Sequence, residues 1–588
     1  MTILQSLARA YERIPDAPPP GFAMQKVGLA IGLNPDGTIA TVTDLREAQG
    51  KKKVARQMSV PAPVKRASNI LPNTLWDKTA YTLGVTKMPK PRTAQEHQAF
   101  VEHHRALIGT SDDPGLLAFL RFLDLWKPEM FEEHFAEEMK DENTVFALEE
   151  ERLRHIYLHD RPAARALLKN GEGRSGQLCL VSGQHGPTAR LHPAIKGMWA
   201  KPGQKAADTI VGFNWPAFES YGHSQGDNAP VSESAAEAYT GALNHFLQRG
   251  SGHRVQIGDA STVFWAEADD AQMAALSESI FGAMVGGADT KASAAEDEAA
   301  AKRVGIVLEK IRAGQALKDV EPKLGEGVRF YVLGLAPNAA RISVRFWLAE
   351  SFGELAKNYG RYTADMRIAP PDPHGTPALW QYLSETAVLG KRENVPPNLA
   401  GEWTRAILTG TPYPLTLLNT VLMRIRSDGI INARRASMLK AILVRNFRKE
   451  KEAPVALDPD NRNKGYLLGR LFAAYEHAQT GALGRSVNAT IKDKFYGAAS
   501  AQPRKVFALL EAGSANHLSK IGKVRPGQRI HMERTIGEIM DLMDPNSDPF
   551  PATLSATEQA LFGLGYYHQR NAFFAPKEIS SEETSTDA

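Results

Sequence analysis

The hydrophobic pattern of this 588-residue chain changes at a proline-rich segment, IAPPDPHGTP (368–377). Before this segment, alternating apolar residues typical of strands are interspersed with apolar residues at helical spacing. Residues 22–45 and 329–350 each read as a hairpin, because turn residues (NPDG and APNAA) separate two alternating runs. After residue 377 nearly every periodic run is helical. The pattern predicts an α+β fold: a large mixed N-terminal region with short antiparallel strands and helices, followed by a C-terminal helix bundle.

The length of the chain predicts more than one domain, because single hydrophobic cores stop growing at about 250–300 residues. We expect a mixed N-terminal region over residues 1–375 and a helical bundle over residues 376–575. Residues 576–588 are polar and acidic, which predicts a disordered tail. Between residues 177 and 215 the pattern predicts further short strands, and Cys179 is expected to be buried in one of them.

Several chemistries are disfavoured because their motifs are missing. A single cysteine cannot form an intramolecular disulfide or a thiolate zinc site. The sequence has no HExxH motif and no Walker loop, so neither a metal nor a cofactor is expected. The glycines of GEGRSG (171–176) follow a helical run and precede an apparent strand, which is the wrong context for a dinucleotide fingerprint. Residues 1–22 read as an amphipathic helix ended by prolines, and no membrane span is apparent, so a cytoplasmic protein is expected.

Positive charge is concentrated in two segments, although the net charge of the chain is only +4. Residues 51–66 carry six basic residues and no acidic one. Residues 424–449 carry eight basic residues against Asp428 alone. Such blocks indicate local contacts with a polyanion. The alternative, that these lysines and arginines only solvate exposed faces, stays open.

Residues 213–233 (FNWPAFESYGHSQGDNAPVSE) form a polar, glycine-containing loop before a helix; we call it the 213–233 loop. Ser220, His223 and Asp227 are the residue types of a catalytic triad. Such residues so close together in a glycine-containing loop more often hydrogen-bond their own backbone. The four aromatic residues of the loop are expected to pack beneath it and hold it rigid.

Two irregular segments combine side chains that could read bases. VKRASNILPN (64–73) carries two cations and two asparagines, and SQGDNAPVS (224–232) carries a glutamine and an asparagine beside a glycine. Amide side chains can match a base edge, whereas lysine and arginine contact phosphates and base acceptors. Asparagine and glycine are also ordinary turn residues, so a purely structural role stays open.

Sequence blocks along nearly the whole chain resemble one family. They run in order from residue 3 to about residue 574 and include ILQSLARAYERI, PVKRASNILPNTLWDKTAYTLGV, FNWPAFESYGHSQGDNAPVSESAAEAYTGALNHFL, FYVLGLAPNAARISVRFW and GYLLGRLFAAYEHAQ. Together they are similar to the large subunit of the type I-C CRISPR Cascade complex, the Csd-one family, a Cas-eight-type subunit. One segment, WAKPGQKAADTIVGFNW, departs from the serine- and glycine-rich pattern of that family.

The resemblance implies a non-enzymatic subunit of a crRNA-guided surveillance complex. Such a subunit recognises the PAM, the short motif that flanks the target in double-stranded DNA, and helps strand separation and R-loop formation. It also supports the displaced strand and recruits the helicase–nuclease. The implied partners are the crRNA, a Cas-five-type subunit, backbone Cas-seven-type subunits and a small subunit made from an internal start, for which Met438 is one possibility. The C-terminal helical region resembles such small subunits.

Residue chemistry within these blocks supplies the candidate sites. PAM recognition or strand separation is expected of Lys65, Arg66, Asn69, Asn73, Gln225 and Asn228. The DNA backbone is expected to contact Lys51, Lys52, Lys53 and Arg56. The path of the displaced strand is expected along Arg434, Arg435, Lys440, Arg445, Arg448 and Lys449. Two alternatives remain: a nuclease or hydrolase acting at residues 220–228, and an RNA-binding assembly protein without a preference for duplex DNA.

Overall fold

A computed structural model describes residues 1–574 with short gaps. The gaps are residues 16, 20, 50–51, 65, 67–68, 89–91, 171–175, 200–208, 214, 287–297, 339–340 and 485–488. The chain divides into two compact units: unit 1 comprises Met1–Ile195 and Asp208–His245, and unit 2 comprises Lys196–Ala207 and Phe246–Ala588. Among the described residues, no helix combines the length and the apolarity that a membrane span requires.

Unit 1 mixes short strands with helices. Its strands are β1 (Phe22–Val27), β2 (Leu29–Leu33), β3 (Ile39–Asp44), β4 (Glu47–Gln49), β5 (Lys52–Val54), β6 (Arg56–Pro61), β7 (Trp76–Lys78), β8 (Asn143–Leu148), β9 (Gln177–Leu178) and β10 (His185–Gly186). Its helices are α1 (Ile3–Tyr11), α2 (Thr79–Thr82), α3 (Thr93–Ile108), α4 (Pro114–Leu125), α5 (Phe131–His134), α6 (Glu149–Arg152), α7 (Pro162–Asn170) and α8 (Glu233–Leu247).

A four-stranded mixed sheet in the order β3-β2-β8-β7 organises unit 1. β2 pairs parallel with β8, and the other neighbours are antiparallel. Because side chains alternate along a strand, Leu29 and Ile31 of β2 lie in one core with residues of α3 and α4. Ala30 lies in a second core with Val60 of β6. Helices therefore cover one face of the sheet, and the two-stranded ribbon of β1 and β6 covers the other.

Unit 2 contains one sheet and many helices. Its strands are β11 (Arg254–Ile257), β12 (Ala260–Glu267), β13 (Arg329–Asn338) and β14 (Arg341–Ser351). Its helices are α9 (Ala271–Val285), α10 (Glu298–Arg312), α11 (Leu317–Val320), α12 (Pro322–Glu326), α13 (Phe352–Met366), α14 (Leu379–Ser384), α15 (Pro397–Thr409), α16 (Leu415–Asp428), α17 (Ala433–Phe447), α18 (Lys464–Leu483), α19 (Ile491–Ala501), α20 (Pro503–Val524), α21 (Pro526–Asp541) and α22 (Ala556–Ala572).

The sheet of unit 2 is an antiparallel meander, β11-β12-β13-β14. One face contributes Phe264, Phe330 and Phe346 to a core that also contains residues of α13 and of the later helices α15 to α22. On the other face, Trp265 and Tyr331 stack with ring centroids 5.3 Å apart. The sheet and the helices of unit 2 thus share a large core, and a smaller one of Ala478, Leu518, Ile521 and Met532 lies between α18, α20 and α21.

The predicted fold class is confirmed, and several predicted elements are present. β2 and β3 form the hairpin around NPDG, β13 and β14 form the second hairpin, and in the part of the chain that is described only helices follow β14. The prediction of strands across residues 177–215 is largely wrong, because the two-residue strands β9 and β10 are the only strands among the described residues of this range (177–199, 209–213 and 215). The domain boundary at residue 375 stays a prediction, and the predicted tail lies outside the described residues.

Candidate nucleic-acid interface

A buried carboxylate in β7 holds the described residues between 62 and 77, which we call the 62–77 segment. Asp77 has a side chain only 1% exposed, and the Arg66 guanidinium binds both of its oxygens. The backbone N–H of Asn73 donates to the same carboxylate at 2.9 Å. The guanidinium also lies over the ring of Tyr81, with its carbon 4.0 Å from the ring centroid. Arg66 is therefore committed to contacts within the protein.

A second set of contacts holds the C-terminal end of the same segment. The amide oxygen of Asn73 accepts the backbone N–H of Val64 at 2.9 Å. The backbone N–H of Leu75 donates to Nε2 of His104 at 2.7 Å, and Nδ1 of His104 lies 2.7 Å from the carbonyl oxygen of Phe100. Because Nε2 accepts this hydrogen bond, it carries no proton itself, so the ring's single proton lies on Nδ1 and the ring is neutral. Burial lowers the pKa of His104 to about 3.

These contacts divide the residues predicted to read bases on the 62–77 segment into those bound within the protein and those that a ligand could reach. Arg66 and Asn73 both have structural partners, and Asn73 is buried. Asn69 is exposed on the segment that they hold, and Lys65 lies outside the described residues. Four residues of this segment were predicted to read bases. Among those that the structure describes, Asn69 is the one that a nucleic acid could reach directly.

The ribbon of β1 and β6 presents exposed cations. Lys26 and Arg56 are exposed, and neither has a carboxylate partner among the described residues. Lys53 instead lies 3.1 Å from Asp44, and hydrogen bonds to this carboxylate and to a second one raise the pKa of Lys53. Lys51 and the side chain of Lys52 lie outside the described part. Of the four residues predicted to contact the DNA backbone, Arg56 is thus the described one that no ion pair engages.

The 213–233 loop is held by its own amide side chains. The Asn228 amide oxygen accepts the backbone N–H of Ser220 at 3.0 Å, and its nitrogen donates to the carbonyl oxygens of His223 and Gln225. The Gln225 side-chain oxygen accepts Nε of Arg190 at 2.6 Å. Both amides predicted to read bases are therefore engaged in positioning the loop. This matches the structural alternative for these residue types.

Two of the four aromatic residues of the loop lie on its surface, so the expectation that they pack beneath it is wrong for these two. Tyr221 is 97% exposed and Trp215 is 64% exposed. No hydrogen bond joins the side chains of Ser220, His223 and Asp227 in this described part of the loop, which leaves a triad without its base–nucleophile contact. Across the described residues, no three His, Cys, Asp or Glu side chains come together as metal ligands.

The basic cluster at residues 424–449 lies largely inside unit 2. Arg435, Lys440 and Arg445 are each less than a tenth exposed. Arg445 lies 2.6 Å from Asp365, and Arg435 lies 2.6 Å from Asp428. Such buried, paired cations do not line a groove open to solvent, so they cannot form the predicted path of the displaced strand in this conformation.

Buried Lys440 donates to the carbonyl oxygen of Asp365 at 2.9 Å, and burial lowers its pKa, which sets it apart from a surface lysine. Four other members of this cluster are nearer to solvent: Arg426, Arg434, Arg448 and Lys449. Arg434 lies 2.6 Å from Asp372, and Lys449 lies 3.5 Å from Glu452. Arg448 is exposed at the end of α17. The exposed charges of the cluster are therefore Arg426 and Arg448, whereas Lys449 is half-buried beside Glu452.

A different group of exposed cations lies where α20 ends and α21 begins, which we call the α20–α21 corner. Lys520, Lys523 and Arg525 are exposed there, and among the described residues none of the three has a carboxylate partner. Arg525 donates to the carbonyl oxygen of Gly481 at 2.9 Å. The sequence signal for this group is SKIGKVRPGQR (519–529), a run without an acidic residue around the proline that starts a new helix.

These features define an α+β protein with exposed, unpaired cations and two internally held loops, a class suited to polyanion contacts. The model of one protein family, described as CRISPR-associated protein (Cas_Csd1), matches residues 7–574. The chain therefore belongs to this family of CRISPR-associated proteins, and the resemblance seen in the sequence is confirmed. No curated protein matches this sequence.

Proposed function

We propose that this protein is the large subunit of a type I-C crRNA-guided surveillance complex. In this proposal it recognises the PAM in double-stranded target DNA, helps strand separation and R-loop formation, supports the displaced strand and recruits the helicase–nuclease. It performs no catalysis itself. Family membership supports the CRISPR role, and the 62–77 segment supports the reading of duplex DNA.

The observation that carries the proposal is that internal contacts hold the chain before and after Asn69. A PAM spans few base pairs, so its reader has few contacts and must hold them in place before binding. The Arg66–Asp77 pair and Asn73 fix the segment from inside, and Asn69 is exposed on it. An asparagine amide can pair with the edge of a base in a groove. Arg56 of β6 would contact the phosphate backbone.

The displaced strand needs a different surface from the one predicted on α17. Its strongest described candidates are the α20–α21 corner and the exposed end of α17 at Arg448. Lysines without carboxylate partners are available to phosphates, because no intramolecular ion pair has to be broken first. We therefore assign the support of the displaced strand to Lys520, Lys523 and Arg525.

The proposed partners follow from this role. They are the crRNA, a Cas-five-type subunit at the guide 5′ end, backbone Cas-seven-type subunits and a small subunit from an internal start. Met438 is fully buried inside α17, so a chain starting there would begin within a helix that packs on α22. Because target DNA and guide complexes meet in the cytoplasm, we place the protein there.

The test uses the complex assembled with guide and partner subunits. It is offered duplexes that match the guide and differ only in the flanking base pairs, beside a complex carrying Asn69→Ala. We expect strong flank preference in the wild type and a preference weaker by at least about fivefold in the variant, since one good base contact contributes about 1–3 kcal/mol. Equal binding to all flanks by the wild type would refute PAM reading. Metal-dependent cleavage of DNA by the chain alone would favour the nuclease alternative.

A further inference from the structure

The tip of the 213–233 loop has an unusual backbone. Ser220 to His223 form a tight turn, in which the His223 N–H donates to the Ser220 carbonyl oxygen at 3.0 Å. Both central residues have positive φ, 54° at Tyr221 and 76° at Gly222. Glycine adopts this region without penalty, but a tyrosine there costs free energy, on the order of 1 kcal/mol or more. The turn thus holds an aromatic residue in a conformation that tyrosine does not favour.

The side chain of Tyr221 gains nothing from the fold in return. It is 97% exposed, so its ring buries almost no apolar surface within the protein. A strained backbone that places a bare aromatic ring in solvent is a feature found at binding sites, because the surrounding structure must over-determine it.

The surrounding structure does over-determine this turn. Asn228 accepts the N–H of Ser220 before the turn and donates to the carbonyl oxygen of His223 after it, so one amide joins both ends. Gly226 is buried, and a side chain there would overlap the carbonyl oxygen of Ala189. The Arg190 guanidinium holds Gln225 from the same stretch of chain. The ring of Tyr221 is therefore carried on a firm support.

The chemistry of the tip favours a flat, uncharged partner. The described loop residues from 215 to 228 include no lysine or arginine, and Glu219 and Asp227 are exposed. Gln225 engages Arg190, so the described loop residues offer a phosphate backbone no cation of their own, whereas the face of a nucleobase needs none.

We propose that Tyr221 stacks on a nucleobase where the target strands separate. This deepens the proposed function and rests on it: the ring would occupy the place that a base leaves when the first pair beside the PAM opens. Side chains that insert between base steps in this way unstack them and lower the cost of opening. Asn228, Gln225 and Gly226 act as positioning residues for this ring.

The experiment uses the assembled complex and a target duplex with 2-aminopurine at the first guide-matched position beside the flank. Its fluorescence rises when the base unstacks. Tyr221→Ala should slow this rise about tenfold, as expected for a stacking contact of about 1–3 kcal/mol. Tyr221→Phe keeps the ring and should open the duplex at nearly the wild-type rate. Because Tyr221 is exposed, neither variant should change thermal stability.

Two further readouts separate this inference from the proposed function. Flank preference in binding should survive in Tyr221→Ala, whereas its absence in the wild type would refute PAM reading alone. A duplex with the first pairs already mismatched should restore the opening rate of Tyr221→Ala, since stacking at that step is no longer limiting. Opening of the matched duplex by Tyr221→Ala at the wild-type rate would overturn the stacking role. Failure of Tyr221→Ala to join the complex would also overturn it and would make the ring a protein contact.

Discussion

A single buried carboxylate, Asp77, determines the conformation of the segment proposed to read DNA. It accepts two nitrogens of Arg66 and the backbone N–H of Asn73, so it links residues eleven and four positions away. Removing one partner of such an ion pair leaves the charge of the other partner unpaired in a poorly solvated environment. The two residue types that looked most like DNA contacts in the sequence, Arg66 and Asn73, are thus the ones that Asp77 engages.

Asp77→Asn is predicted to destabilise unit 1 by about 3 kcal/mol, the lower end for breaking a buried pair, because Arg66 remains partly solvated. Urea unfolding followed by circular dichroism measures this free energy. Asp124→Asn is the matched control: its partner Arg105 and Asp124 itself are both more than half exposed, so the expected loss is below about 1 kcal/mol. Equal losses in the two variants would contradict the role of Asp77.

His104 makes a second residue-scale prediction, through pH. Its pKa is lowered to about 3 in the folded protein by burial, from 6.5 when unfolded. The unfolded chain therefore binds the proton more readily, so the stability that neutral His104 supplies is complete above pH 6.5 and is lost progressively as the pH falls toward 3. Between pH 7.5 and pH 5.5 the free energy of unfolding should fall by about 1 kcal/mol on account of this residue.

Unfolding of His104→Gln at the two pH values tests this. The variant should be less stable than the wild type at pH 7.5, because the hydrogen bond to Leu75 is altered, and should lose about 1 kcal/mol less on acidification. His223→Gln, on the exposed loop, should keep the wild-type pH dependence. A His104→Gln variant with an unchanged pH dependence would rule out this assignment.

At the scale of elements, glycines explain two of the sequence blocks near the C-terminus. A β-carbon on Gly469 of α18 would overlap the carbonyl oxygen of Phe562, and one on Gly565 of α22 would overlap the carbonyl oxygen of Tyr466. The two helices therefore approach at backbone distance along GYLLGR and LGYYHQR. Small residues at such crossings are required by close packing.

Gly469→Ala is predicted to destabilise unit 2 by about 1–3 kcal/mol, because the added methyl group forces α18 away from α22. Gly513→Ala in α20 is the control, since no atom lies within 4 Å of the position of the new β-carbon. That variant should be neutral or more stable by up to about 1 kcal/mol, from helix propensity alone. Thermal unfolding of both variants checks the pair. Similar melting temperatures of the two variants would mean that α18 can move away from α22 without a loss of stability.

Periodicity predicted the hairpins and the helical C-terminal half, because each depends on neighbours close in sequence. The same reasoning failed in the described parts of residues 187–213 (187–199 and 209–213), where short apolar stretches form no paired strand. Thr188 makes only an isolated bridge with Ser232. The adjacent Cys179 is buried as expected, but it lies just after β9 rather than in a strand, where its sulfur accepts the backbone N–H of Ser232 at 3.2 Å. An alternating pattern permits a strand, but only a partner strand makes one.

The candidate sites were harder to predict than the fold, for the same reason. The arginines of α17 read as a surface cluster because the acidic residues that bind them lie far away in sequence. Asp365 is 80 positions before Arg445, and Asp372 is 62 before Arg434. Counting the charges within one segment of the sequence misses the acidic residues that the fold brings next to that segment. The exposed ring of Tyr221 was missed because the exposure of an aromatic residue is not visible in the sequence.

At the scale of the whole molecule, the proposed contacts with DNA fall on both units. The 62–77 segment and Tyr221 lie in unit 1, and the α20–α21 corner lies in unit 2. If the contacts on the two units act independently, a substitution that removes one contact should leave the contribution of the other to DNA binding unchanged.

Lys520→Glu with Lys523→Glu is predicted to leave flank-dependent duplex recognition intact and to weaken the hold on the displaced strand. R-loop retention across a salt series measures this. The slope of log affinity against log salt should fall by about 1.4, or about 0.7 for each phosphate that the variant no longer neutralises. Lys310→Glu with Lys318→Glu makes the same charge change elsewhere in unit 2 and should leave the slope unchanged. Identical slopes for both double variants would place the displaced strand elsewhere.

Photo-crosslinking from position 69 shows whether this chain reads the duplex flanking the target through the 62–77 segment. The complex is assembled with benzoylphenylalanine in place of Asn69, bound to target DNA and irradiated, and the crosslinked partner is sequenced. We expect crosslinks to the few base pairs beside the guide-matched stretch, and these crosslinks should disappear with a flank that the complex does not bind. Crosslinks to the guide RNA or to another subunit, with none to the flanking duplex, would mean that the 62–77 segment does not read DNA.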